Sequence, residues 1–178
     1  MAVWTHIAHD SLSLPAALVT WSSISGSYDH LYCQASMRTD ESAYYTAVNV
    51  RVGNGSLDDG TNYSTSWLAA NTSTAPWGWR QSGIAYWTAG YTSAASAQAS
   101  TFGTMRMWIP RYAGTTAPKQ AMIQTHAATQ SNTNERWLIA QAAALWKSNS
   151  AIDTISIYPA NDDLIAGCVF DLYGITGA

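Results

Sequence analysis

Apolar residues recur at every second position in several short runs of this chain, and that period constrains its fold more than any other feature. In the stretch Ile152 to Ile175, Ile155 and Ile157 alternate with Thr154 and Ser156, and Pro159 to Asp163 turns the chain. Cys168, Phe170 and Leu172 then alternate with Val169, Asp171 and Tyr173. Successive side chains of a strand point to opposite faces, so period two predicts strands with one buried face. The stretch is predicted as two strands joined by a polar loop, the return strand closing the domain as a central strand of a sheet.

The same period appears upstream. Leu31, Cys33, Ala35 and Met37 share one face against His30, Gln34, Ser36 and Arg38. After the polar turn Thr39 to Ser42, Val48, Val50 and Val52 point inward with Asn49 and Arg51 outward, and the two runs are predicted to pair antiparallel. Further strands are predicted over Trp67–Ala70, Ile84–Gly90, Phe102–Ile109 and Lys119–His126, with Tyr91–Ser100 as a small-residue link and Gln130–Asn134 as a turn. Glu135 to Lys147 stays open between a helix and a strand with Trp137, Ile139, Ala143 and Leu145 on one face. Strands at about ten-residue spacing without helical crossovers predict an all-β fold, an antiparallel two-sheet sandwich, jelly-roll-like. Residues 1–27, which lack clear periodicity, are expected to form an N-terminal arm with room for one short strand, packed across its own sheet or reaching a neighbouring copy, and residues 28–178 the sandwich domain.

Composition narrows the function. Charged residues make up 11% of the 178 positions, against roughly 25% in an average soluble domain, while the chain carries 9 Trp and 10 Tyr. With only 8 Lys and Arg and a formal net charge of -3, no basic field exists to neutralise phosphates, so nucleic acid is not an expected partner. A neutral, aromatic-rich surface suits a permanent assembly, although an all-strand chain also carries such residues for packing alone. No stretch is long and apolar enough for a spanning helix, and the first residues, interrupted by His6, His9, Asp10 and Ser11, do not have the form of a signal peptide. The acceptor pattern for glycosylation at Asn54, Asn62 and Asn71 is therefore read as Asn-rich loops.

The chemistry-bearing residues form no catalytic set. His6 and His9, with Asp10, have i,i+3 spacing and no glutamate base, which is weak evidence for zinc, and no metal or cofactor is expected. Asn54, Asp58, Asp59 and Asn62 offer oxygen ligands, but their spacing is not that of an EF-hand, and turn formation through Asn-Gly and Asp-Gly accounts for them. Asp58-Asp59 and Asp162-Asp163 are loop carboxylates with no evident cleft between them, and no nucleophile elbow is present. Cys33 and Cys168 are expected as buried thiols that would pair only if their strands lay side by side in suitable register. Trp77, Trp79, Trp87 and Tyr91 form the densest aromatic group, and three readings stay open for it: core, protein interface, or a stacking platform for sugar.

Four segments carry a resemblance: Tyr28-Asp29-His30-Leu31 through Arg38-Thr39-Asp40; Val50 to Gly55 with Asn62-Tyr63; Ile109-Pro110-Arg111-Tyr112-Ala113-Gly114-Thr115; and Ile152 to Pro159 followed by Gly167 to Ile175. In this order they resemble a recurring type of tailed-bacteriophage virion protein, a β-sandwich module of capsid decoration and tail or fibre proteins. The resemblance implies a non-enzymatic structural role in the virion after synthesis in the host cytoplasm. It further implies self-association, with a trimer favoured, and contact with the major capsid protein or another virion protein. The leading expectation is a decoration protein that braces neighbouring capsid subunits through its N-terminal arm and loops. The alternatives are a tail or fibre module that binds a receptor glycan through the aromatic group, and a secreted carbohydrate-active domain. The residues expected at interfaces or ligands are Trp4, His6, Trp21, Trp77, Trp79, Trp87, Tyr91, Arg111 and Tyr112.

Overall fold

A computed structural model describes residues 1–71, 75–128 and 137–177. The turn expected at Gln130–Asn134, most of the acceptor pattern starting at Asn71, and the first two residues of Glu135–Lys147 lie outside the described residues. Among the described residues there are thirteen strands and no helix: β1 (Val3–Ser11), β2 (Val19–Trp21), β3 (His30–Met37), β4 (Tyr45–Asn54), β5 (Ser56–Leu57), β6 (Tyr63–Asn71), β7 (Trp77–Ile84), β8 (Trp87–Ser93), β9 (Gly103–Pro110), β10 (Lys119–Ala128), β11 (Trp137–Trp146), β12 (Thr154–Pro159) and β13 (Val169–Thr176). They form an antiparallel two-sheet sandwich. The large sheet runs β1-β13-β3-β9-β10-β11-β6-β7; the small one runs β2-β12-β4-β5, with β8 also paired to β4.

The core lies between the sheets. Leu31, Cys33, Met37, Met105, Met107, Ile109, Ile123, Phe170 and Leu172 come from the large sheet, and Val48, Val50, Val52, Trp87, Ile155 and Ile157 from the small one. Apart from Trp87, expected at a contact surface, these are the inward positions that alternation predicts. Asn49, expected on the water side of β4, is buried as well.

Partner choice differs from the expectation. β3 and β4 belong to different sheets, and so do β12 and β13, so neither predicted pair exists. Each chain segment instead crosses the edge of the sandwich, which lets both runs bury an apolar face against the opposite layer. Three such crossings, β1 to β2, β3 to β4 and β12 to β13, meet where Leu164 bridges both Ala16 and Thr39. β13 is interior as expected, but its neighbours are β1 and β3. The predicted strand Ile84–Gly90 is also broken: β7 ends at Ile84 and β8 begins at Trp87 in the other sheet.

Of the two courses open to residues 1–27, the chain takes the one across its own sheets. β1 pairs with β13 from Val3↔Thr176 to Ser11↔Val169, and β2 pairs with β12. A nine-residue strand and a three-residue strand stand where one short strand is expected. For Glu135–Lys147 the strand holds over Trp137–Trp146. The middle of its inner face is small, with Ala140, Ala142 and Ala144 buried between Leu138 and Trp146, while Trp137 and Ile139 point out. Small inner side chains let β8 lie close over this part of the sheet. Gly90 marks the closest approach: at φ 137° a Cβ there would fall 2.0 Å from Thr125 Oγ1.

Cys33 and Cys168 are both buried and unpaired. Their strands are neighbours, but Cys33 faces Leu172, which leaves Cys168 several residues along the ladder. The Cys168 thiol instead donates to the Arg38 carbonyl at 3.3 Å.

Candidate functional site

The inner face of the large sheet is consumed by the core, so its alternate residues form a second, open face. No other layer packs on it among the described residues. Register orders this face into rows. One row reads Asp171, Gln34, Arg106, Gln124, Gln141, Leu68 across β13, β3, β9, β10, β11 and β6. A flanking row reads Tyr173, Tyr32, Trp108, Met122, Ala143, Ser66. The other reads Val169, Ser36, Thr104, His126, Ile139, Ala70.

The two halves of the face differ in chemistry. Toward β13 lies a groove of about 500 Å³ whose lining includes Gln34, Ser36, Arg106, Gln124, His126 and Asp171. Toward β6 large apolar side chains are exposed around Gln124 and Gln141: Leu68 is 60% exposed, Ile139 57%, Met122 46%, Trp137 41% and Trp108 37%. His126 stacks on Trp137 with ring centroids 4.9 Å apart. Met122 stands directly opposite Trp108, and Leu68 lies diagonal to Ile139 through Gln141. Leaving such side chains in water forfeits hydrophobic stabilisation.

At the β1 edge the face ends in an aromatic and histidine group. Trp4 packs edge-on against Tyr32 at 5.1 Å, and His6 lies 5.1 Å from Tyr173. His6 Nε2 and His9 Nδ1 lie 3.1 and 2.8 Å from the same oxygen, Asp171 Oδ1. Partial burial alone would raise the Asp171 carboxyl, but hydrogen bonds from His9, His6 and Gln34 outweigh it and hold it below the usual carboxylate range.

The expected contact residues divide sharply. Trp4 and His6 are exposed on this edge, and Arg111 is exposed in a loop at φ 49°, its N–H donating to the Asp29 carbonyl. Trp21, Trp87 and Tyr112 are core residues and cannot meet a partner without opening the fold. Trp21 donates to Asp10 at 2.5 Å, Trp87 packs edge-on against Tyr63 at 5.9 Å, and the Tyr112 hydroxyl donates to the Ser25 carbonyl. The aromatic group at 77–91 is therefore split. Trp79 is 58% exposed and half-buried Trp77 and Tyr91 surround a small satellite cluster with Trp67, whereas Trp87 faces the main core. Residues that alternation left without a role, Leu68, Trp108, Met122, Trp137 and Ile139, make the open face. Their signal was bulky apolar side chains at the outward positions of otherwise regular strands.

The loop oxygens are used internally. Asp58 accepts from Gly60 N–H at 2.8 Å, Asn62 Nδ2 at 2.9 Å and Trp146 Nε1 at 2.6 Å. Burial alone would raise its carboxyl; these three bonds together hold it below the usual range. Asp58→Asn is expected to cost about 1–3 kcal/mol by weakening those bonds. Because the folded pKa is depressed, the advantage of Asp58 is full above the unfolded carboxyl's pKa and disappears as pH falls through the folded value. Paired thermal melts should show the gap between parent and variant closing below about pH 4. A gap that persists at lower pH would refute the assignment.

No family model matches this chain, and no curated protein matches it. Among solved structures the chain is similar to a single mutant of congerin II, at 12% identity and a TM-score of 0.34 over 85% of this chain and 97% of that one. It is similar to the galectin LEC-6 of Caenorhabditis elegans at 8% identity and a TM-score of 0.35, covering 94% and 95%. An exo-inulinase from Aspergillus awamori aligns at 7% identity and a TM-score of 0.40, covering 98% of this chain and 29% of the enzyme. At these values the likenesses carry no argument about ligand, activity or assembly.

Proposed function

We propose that this chain is a non-enzymatic structural protein of a phage particle, and that it assembles through the open face of its large sheet. The observation that carries the assembly role is the apolar band formed by Trp108, Met122, Leu68, Ile139 and Trp137 on that face. The virion setting rests on the sequence resemblance of residues 28–175. The reading assigns the first contacts to other copies of this chain, in a trimer, and the next to the major capsid protein, as a decoration protein would make them. The bracing assigned to an N-terminal arm moves to the sheet face, since β1 is committed to β13. Scarce charge supports the same reading, because copies can pack face to face without strong repulsion.

Leu68→Glu with Ile139→Glu is the direct test of the surface. Both side chains are exposed, so the fold should survive with a thermal midpoint within about 3 °C of the parent. Sedimentation velocity should show the parent as an oligomer and the variant as a monomer. A parent that stays monomeric at high concentration, or a variant that assembles like the parent, overturns the interface. For the setting, immunogold labelling of purified particles should decorate the head lattice. Particles without label would overturn the virion role.

A second reading is favoured by the polar groove. Gln34, Arg106, Gln124 and Asp171 line a concavity that suits the hydroxyls of a receptor glycan, as in a tail or fibre module. Label confined to tails, together with glycan-array binding lost in Arg106→Ala, would select it over the decoration role.

A further inference from the structure

We propose that His6, His9 and Asp171 form a binding site for one zinc-class divalent cation, which staples the N-terminal strand to the C-terminal one. In a regular strand, residues three apart point to opposite faces. β1 departs from regularity between His6 and Ala8, where Ile7 is an extra residue against β13. That bulge turns His6 and His9 onto the same face, opposite Tyr173 and Asp171. The three ligand atoms, His6 Nε2, His9 Nδ1 and an Asp171 oxygen, all lie within 4.8 Å of one another.

The donor set fits the ion class. Two imidazoles and one carboxylate suit zinc, cobalt or nickel, whereas calcium and magnesium require oxygen ligands throughout. A tetrahedral site with bonds of about 2.0–2.1 Å has ligand atoms about 3.3 Å apart. His6 and His9 already stand at 3.1 and 2.8 Å from Asp171 Oδ1, so modest rotation of two half-exposed side chains completes the geometry. Gln34, directly across the ladder from Asp171, hydrogen-bonds its carboxylate, the kind of outer support that metal ligands ordinarily have. With three protein ligands, the fourth position opens to water.

The consequence is mechanical. Among the described residues β1 is an edge strand with β13 as its one neighbour in the large sheet, and the two are the first and last strands. An ion shared between them joins the chain termini without a disulfide. Edge strands that are fixed in this way also resist fraying and unwanted pairing.

The experiment uses tag-free full-length protein stripped with EDTA. At zinc about 100-fold above Kd the thermal midpoint should rise by about 5–10 °C. One equivalent of Co(II) should give the visible d–d bands of a four-coordinate site. The double variant His6→Gln, His9→Gln keeps side-chain donors for Asp171 but loses both nitrogen ligands. Its metal-free midpoint should match the parent's, and both metal responses should vanish. A structural role for the His–Asp hydrogen bonds alone would give the parent no zinc response, which overturns the proposal. So would Co(II) bands of equal strength in the double variant, since the ion would then be bound elsewhere.

Discussion

Replacing Arg38 with methionine is expected to destabilise the protein by about 3–5 kcal/mol, measured by urea denaturation. Arg38 is buried at the end of β3, where the chain leaves the large sheet. Among the described residues its guanidinium has no carboxylate partner. It donates from Nη1 to the carbonyls of Gln98 and Thr101 at 2.8 and 2.7 Å, and from Nη2 to those of Ala95 and Ala97 at 3.1 Å each. One side chain therefore satisfies the loop between β8 and β9. Burial pulls its pKa down, yet a guanidinium stays protonated in any ordinary buffer. Methionine matches the stem and leaves four carbonyls without their donor, so the loss measures the loop and not the core. Lysine should recover only part of it, because one ammonium cannot reach all four acceptors in the planar fork's geometry. A methionine variant within about 1 kcal/mol of the parent would show that water replaces the guanidinium freely.

The second large effect is expected at Trp87, where alanine should cost about 3–5 kcal/mol, out of a total that is about 5–15 kcal/mol for a typical domain. Trp87 is fully buried against Tyr63, whose hydroxyl accepts from Val52 N–H at 3.2 Å and donates to the Val52 carbonyl at 2.7 Å. Removing the indole opens a cavity between the sheets and leaves that tyrosine without its ring contact. The thermal midpoint should fall by about 10 °C or more. Phenylalanine should be milder, because the indole N–H of Trp87 has no hydrogen-bond partner among the described residues and its loss removes an unsatisfied group. Trp79→Ala, on the exposed side of the same sequence cluster, should shift the midpoint by about 2 °C or less. Equal effects at Trp79 and Trp87 would contradict the split of the aromatic group.

That split shows what a linear pattern can carry. Trp and Tyr satisfy a core and a surface equally well, so the spacing of Trp77, Trp79, Trp87 and Tyr91 does not say that the chain changes sheets between Ile84 and Trp87. In β11 the signal even runs against intuition. Its bulky Trp137 and Ile139 face water, while Ala140, Ala142 and Ala144 face in between Leu138 and Trp146, where β8 lies over the sheet. The cation site was hidden in a different way: strand period separates His6 from His9, and only a bulge and a residue 162 positions away from His9 bring the ligands together.

By itself the sequence determined the class of fold and the buried face of most strands. Alternation is a local property, set by the pleat, and Leu31 to Met37, Val48 to Val52, Met105 to Ile109 and Phe170 to Leu172 are buried as their period requires. Only the tertiary structure decided which strands are neighbours, that β1 belongs to the sheet, and that one sheet face remains open. Pairing is chosen by contacts between residues far apart in the chain, whose loop-closure cost changes slowly with separation and so leaves little trace in local pattern. The open apolar face and the His6, His9, Asp171 group are both products of that pairing.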